Sequence, residues 1–183
     1  MKFYKALLLI TISFTLSCSK DDQISKKGEI TFDNQSYELN NGYINFRSTS
    51  DYKFFGIHLS NDITTFGDDG RVLGKDSKTT VDLMFVRENN SDNEVTFYPL
   101  RFNHNTGVVL EEAPPYLTIG AVNFNLYQEN EDWVANPRIH TWDDGSATFE
   151  NINGEYKITF HLVKGNTVIT GNYKGPLEEV EIF

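Results

Sequence analysis

Apolar and polar positions alternate along most of this chain. The clearest run is 155–163, where Tyr156, Ile158, Phe160 and Leu162 interleave with Lys157, Thr159 and His161. A period of two sends one set to a core and the other to water, the mark of a half-buried strand. Asn153-Gly154 stands just before it, a pair favoured in tight hairpin turns. Residues 147–150 supply the strand upstream of that turn. Lys164-Gly165-Asn166 then turns the chain into a third strand over 167–173. The pattern predicts a three-stranded meander.

The same logic marks other strands. Phe55, Ile57 and Leu59 share a face opposed by Phe54, Gly56 and His58. Val81, Leu83 and Phe85 oppose Thr80, Asp82 and Met84, and Val122, Phe124 and Leu126 oppose Asn123 and Asn125. Ile30 and Phe32 with Tyr37 and Leu39 predict an opening hairpin across Asp33-Asn34. Residues 43–46 and 95–102 complete the set, with Val180 and Ile182 fitting a last strand. Pro99 cannot donate to a ladder, so its strand is expected at an edge or bulged.

No stretch repeats apolar residues at spacings of three, four and seven, and no Gly- or Pro-rich linker divides the chain. Strands joined by short turns, without crossover helices, pack sheet on sheet or close on themselves. The expectation is one all-β domain over 29–183, an antiparallel β-barrel or β-sandwich ending in the meander. That length is enough for one domain with its own core.

The start of the chain reads differently. Lys2 and Lys5 form a basic head, followed by an apolar run over 6–16 that is too short to span a bilayer. This is the layout of a cleaved signal peptide, 1–17. Cys18, the only cysteine, follows Leu16-Ser17 and has no partner for an internal disulfide. Here the chain resembles bacterial lipoproteins: Ser17 and Cys18 match their lipobox, and Thr15 stands where Leu, Ile or Val is usual. Ser19-Lys20-Asp21-Asp22 resembles the surface-export signal of Bacteroidetes-type lipoproteins. Thr170-Gly171-Asn172-Tyr173-Lys174-Gly175 resembles the ending found in many of them. The resemblance implies diacylglycerol on Cys18 and a lipidated flexible tether over 18–28. It also implies an outer-membrane location, with display at the surface, and a small β-barrel or sandwich. It brings no activity with it.

Charge narrows the partners. Acidic residues number 26 against 16 basic ones, a formal net charge of −10, and loss of Lys2 and Lys5 with the leader makes the chain more acidic. Nucleic acid binding needs a basic surface to displace counterions, so nucleic acid is not an expected partner. Attraction to anionic lipid heads is likewise disfavoured, leaving the lipid on Cys18 as the membrane contact. Overall acidity also favours neutral or cationic ligands over anionic ones.

Reactive constellations are sparse. His58, His104, His140 and His161 lack the local spacing of zinc ligands, and His58 and His161 fall on polar strand faces, where solvated histidines belong. Asp62, Asp68, Asp69 and Asp76 crowd one loop, yet without the D-x-D-x-D-G spacing of a calcium loop; a solvated acidic loop is the simpler reading. G-x-S-x-G is absent, and lipidation would consume the one thiol. Neighbouring acids such as Asp143-Asp144 point opposite ways along a strand and cannot face each other across a bond. No catalytic residue, metal or cofactor is expected, and an enzyme ranks last.

Aromatics offer more. Trp133 and Trp142 fall in one stretch with Tyr127, among Asn, Asp and Glu that include Asp143 and Asp144. Sugars stack C–H faces on aromatic rings and bond their hydroxyls to amides and carboxylates. Residues 127–144 are therefore the candidate ligand-binding stretch, with Tyr127, Trp133, Trp142, Asp143 and Asp144 as its residues. The competing reading buries both tryptophans as core plugs. Three roles remain open: a non-catalytic surface module for a glycan or other polymer, a lipocalin-like carrier of a small ligand, and a structural or adhesive lipoprotein contacting protein.

Overall fold

The computed structural model describes residues 26–62, 65–66, 72–73, 78–88, 95–100, 114–125, 127–129 and 132–180. The expected leader and Cys18 lie outside this set. The described chain is all-β, with no helix. In order it forms β1 (Gly28–Phe32), β2 (Gln35–Leu39), β3 (Asn41–Ser48), β4 (Tyr52–Ser60), β5 (Thr65–Phe66), β6 (Val72–Leu73), β7 (Thr79–Glu88) and β8 (Val95–Pro99). It continues with β9 (Tyr116–Phe124), β10 (Tyr127–Glu129), β11 (Asp132–Val134), β12 (Arg138–Ile139), β13 (Asp144–Ile152), β14 (Glu155–Lys164), β15 (Thr167–Gly175) and β16 (Glu178–Glu179).

Two six-stranded sheets carry the architecture. Sheet A runs β2-β1-β15-β14-β13-β8 and sheet B runs β12-β9-β7-β4-β3-β16. Both have free ends, so the barrel alternative is corrected: the sheets do not close. Phe55 and Phe85 of sheet B meet Tyr98 and Phe149 of sheet A in one ring cluster, which keeps two inner faces apart and filled.

The meander is β13, β14 and β15, paired antiparallel in unbroken register. Its turns carry the residues their geometry demands. Asn153 and Gly154 both have positive φ, 54° and 84°, the pattern of a two-residue hairpin turn. Asp33 and Asn34, at 49° and 59°, do the same between β1 and β2. Ile158, Phe160 and Leu162 are buried while Lys157, Thr159 and His161 are exposed, as the alternation predicts. The opening hairpin starts at Gly28, one residue ahead of the expected domain start, and Gly28 is already buried opposite Tyr173. Pro99 lies on β8, the outer strand of sheet A, where a missing donor costs no ladder bond. The last strand differs from expectation: it is Glu178–Glu179, parallel to β3, and 181–183 fall outside the described residues.

The C-terminal motif has a packing basis. Phe160 stands opposite Gly171, and a Cβ on Gly171 would overlap the Phe160 ring. Two residues on, Tyr173 is buried and donates its hydroxyl to the Pro176 carbonyl at 2.8 Å. Burial pushes the Tyr173 phenol up to about 12.

Two outcomes follow. Phe160→Ala should cost about 3–5 kcal/mol, the range for a buried Phe, and Lys157→Ala should stay within about 0.5 kcal/mol. Chemical denaturation of both variants checks the pair, and equal losses would contradict the alternation. Above the ordinary tyrosine pKa the unfolded chain loses the Tyr173 proton while the folded chain keeps it, so stability falls as pH rises. Over roughly pH 10 to 12 that loss amounts to on the order of 2–3 kcal/mol. Denaturation midpoints of wild type and Tyr173→Phe across this window should converge with rising pH; parallel curves would reject the assignment.

Candidate functional site

Of the binding residues singled out from the sequence, the structure describes the side chains of Trp142, Asp143 and Asp144. Trp142 is 3 % exposed and belongs to the core cluster, so its ring is not open for stacking on a sugar. Asp143 and Asp144 are exposed, but their carboxylates serve the turns around them. Asp143 Oδ2 accepts the Gly165 N–H at 2.6 Å while its own N–H donates to Val163. Asp144 Oδ1 accepts the adjacent Gly145 N–H at 2.7 Å. Tyr127 and Trp133 lie on the ribbon β10–β11, where Tyr127 pairs with Val134 and Trp133 with Gln128; they share no cross-strand row. The glycan platform expected over 127–144 loses Trp142, which lies between β12 and β13 with its ring in the core, the place the competing reading gave both tryptophans. Of the acidic loop, Asp62 is exposed, and Asp68, Asp69 and Asp76 lie outside the described residues. His140 and His161 are exposed, and His104 lies outside the described residues.

His58 departs from expectation. It sits on the outward face of β4, opposite Asp82 of β7, and its Nδ1 meets Asp82 Oδ1 at 2.6 Å. The side chain is only 11 % exposed, and Nε2 is buried without a hydrogen-bond partner. A carboxylate only accepts, so Nδ1 is the donor of this pair. Among the described residues no group of three His, Cys, Asp or Glu is placed to hold a metal ion. The pair ties β4 to β7. Sequence alternation had put both residues on polar faces; only the strand register makes them partners.

A concavity forms one row away. β16 pairs with β3 only at Tyr43 and Ile44, so from Asn45 onward the side of β3 away from β4 has no strand partner among the described residues. Along this edge runs a groove of about 840 Å³ lined by Asn45, Phe46, Arg47, Thr49, Phe54, Gly56 and Met84, with Phe55 at its base. Gly56 shapes the floor. It stands between Asn45 and Met84 in the ladder, and its N–H donates to Asn45 Oδ1 at 3.0 Å. Any side chain at 56 would meet that amide, since a Cβ there falls 2.7 Å from Asn45 Oδ1. Phe46 and Met84 remain 38 % and 40 % exposed, large apolar surface left uncovered by the fold. Beside Met84 the ladder to β9 shifts register, and Thr118 sits in the irregularity with its hydroxyl donating to the Met84 carbonyl at 3.2 Å. Such bulges re-aim side chains and often lie next to sites.

One cation, Arg47, lines the groove, and two more lie on the other face of the sheet, against rings. The Lys53 ammonium lies 4.6 Å from the centre of the Phe46 ring, and the Arg87 guanidinium 5.7 Å from that of Phe55. Chemically the groove offers aromatic and thioether surface, one amide, one hydroxyl and positive charge. Among the described residues that line it, no nucleophile is paired with a base. Its sequence signal was faint: Phe54 and Met84, two large apolar residues on strand faces otherwise polar. These residues identify a groove, and no relative explains it: no family model, no curated protein and no solved structure matches the chain.

Proposed function

We propose that this chain is a lipid-anchored β-sandwich of the outer membrane, displayed at the surface, acting as a non-catalytic binding module for a glycan or another polymer. The groove beside β3 carries the reading. It is open and lined by exposed Phe46 and Met84, by the Asn45 amide and by Thr49, whose hydroxyl is bonded to the Tyr52 backbone. Ligand sites are concave and largely apolar, with a few polar groups that orient the ligand. The groove replaces Tyr127, Trp133, Trp142, Asp143 and Asp144 as the proposed site. A lipocalin-like carrier would hold its ligand inside, yet here the described interior is taken up by the stacked Phe55–Phe85 pair and the Tyr98 and Phe149 rings against it. The anchor rests on the leader pattern and the placement of Cys18.

Screening the mature chain against polysaccharides should find a ligand whose affinity falls about threefold to tenfold in Phe46→Ala and in Met84→Ala, while the fold persists. Trp142→Ala should instead lower stability by about 3–5 kcal/mol and leave affinity of the folded fraction intact. A ligand that ignores Phe46 and Met84 would refute the groove. For the anchor, metabolic labelling with a fatty acid should mark the wild type and fail to mark Cys18→Ala; a labelled mutant would disprove lipidation there.

A further inference from the structure

We infer that the free edge of β3 takes an extended, acidic polypeptide from another molecule as an added strand of sheet B. This goes beyond the groove's role as a polymer site, because the contact it needs is with backbone. In a strand the N–H and C=O of one residue point to the same side, and those of the next residue to the other. Val180 donates its N–H to the Ile44 carbonyl at 2.9 Å, so Ile44 faces away from β4. Register along β3 is unbroken, so Phe46 and Ser48 face that same open side, while Asn45 and Arg47 face β4. β16 stops at Glu179. Beyond it the backbone groups of Phe46 and Ser48 meet no strand and no other backbone partner among the described residues. Such a row is a template for another chain, and main-chain bonds to it give affinity while alternate side chains give specificity.

Side chains of an added strand alternate between the two faces of sheet B, and each face offers them a surface. On the outer face lie Asn45 and Arg47, with Phe54, Gly56 and Met84 behind them along the groove. Gly56, between Asn45 and Met84, leaves a dip that a large side chain crossing Asn45 would fill. On the inner face Phe46 stays exposed at the rim, with the Lys53 ammonium 4.6 Å from its ring centre. Native edges are commonly blunted by bulges or proline. β3 has neither along its pairing with β4.

Charge selects the partner. Lys26, Lys157 and Lys174 each meet a carboxylate, at 2.6, 3.7 and 3.3 Å. Among the described residues no ion pair involves Arg47 or Lys53. The strand that β3 already accepts on this side is itself acidic, Glu178–Glu179. An acidic newcomer continues the edge where that strand stops and brings Arg47 the carboxylate it lacks. A second copy of β3 fits worse, since it would carry its own Arg47 and Lys53 to the same short edge, like charge against like.

The test uses the mature chain in detergent and titration calorimetry. The probes are a short peptide alternating glutamate with valine, its lysine-for-glutamate counterpart, and two versions of the first N-methylated at alternate residues, one in each frame. N-methylation removes the donors along one edge of the peptide and keeps its side chains. The glutamate peptide should bind, and the lysine peptide about tenfold more weakly. One N-methylated frame should lose about tenfold in affinity, and the other, whose methyl groups face solvent, should bind as the parent. Ser48→Pro removes an edge donor and no bond to β4, so binding should fall about tenfold with the unfolding midpoint unchanged. Arg47→Gln should lower affinity about threefold. Lys174→Gln, on sheet A, should bind as wild type. If Ser48→Pro fails to fold, the two N-methylated frames still decide on the wild type. Equal binding of both frames would overturn strand addition, and if Phe46→Ala still weakened that binding, the groove would stand as a polymer site. Equal binding of the lysine peptide would overturn the acidic partner. Binding gained only on deleting 181–183 would give the edge to this chain itself, and a dimer of the free chain abolished by Ser48→Pro would give it to a second copy; either overturns the inference, as does no binding of any peptide.

Discussion

Contact between four aromatic rings holds this molecule together. Phe55 and Phe85, neighbours on β4 and β7, stack with centroids 4.9 Å apart and planes 9° from parallel. Tyr98 presents its edge to both, at 5.7 and 4.8 Å, and Phe149 leans on Phe55 at 4.9 Å. Each pair member comes from adjacent strands of its own sheet, β8 and β13 on one side and β4 and β7 on the other. Rings of this size bury roughly 150–250 Å² each and dominate a core's energetics. They also set the gap between the sheets, near the ~10 Å of face-to-face packing. The aliphatic residues around them, from Ile30 to Ile169, fill what the rings leave.

A core filled this way pushes chemistry to the rims and outer faces, and the two outer faces differ. Sheet A turns outward residues such as Thr148, Thr159, Lys157 and Lys174, with Thr148 and Thr159 sharing a hydrogen bond of 2.6 Å. That is a solvated face of the usual alternating kind. Sheet B turns outward Tyr43, Phe54, His58, Met84 and Tyr116. Burial lifts the Tyr116 phenol above its ordinary value. The groove lies where this second face meets the free edge of β3.

What could be read beforehand was local. The meander, the Asp33-Asn34 and Asn153-Gly154 turns, and the inward set Phe55, Ile57 and Leu59 all follow from periodicity and turn chemistry within ten residues or so. Pro99 on an outer strand follows from one missing N–H. What escaped was non-local. No pattern within β4 or β7 says that His58 faces Asp82 or that Lys53 faces Arg87; those pairs exist only once the two strands are neighbours in a given register. Trp142 escaped for a related reason. It stands in an irregular stretch between β12 and β13, where alternation stops assigning faces, and its burial depends on what the folded sheets place over it. The groove required still more: a glycine on one strand, a long amide on the next and the early end of β16.

The strand order has a mechanical meaning. β1, the first strand, is not at the margin of its sheet but lies between β2 and β15. It is fastened along five residue pairs to β2 and four to β15, and the Lys174 N–H also donates to Lys27 just ahead of it. Force entering the domain through residues before Gly28 and directed along β1 would load both ladders in shear. Their bonds would then share the pull and break together, instead of opening one by one as in a peeled edge strand. Resistance to such a load is governed by the rate of unfolding, not by equilibrium stability. A domain held by its leading end against flow or drag would be gripped at a strand fastened on both sides.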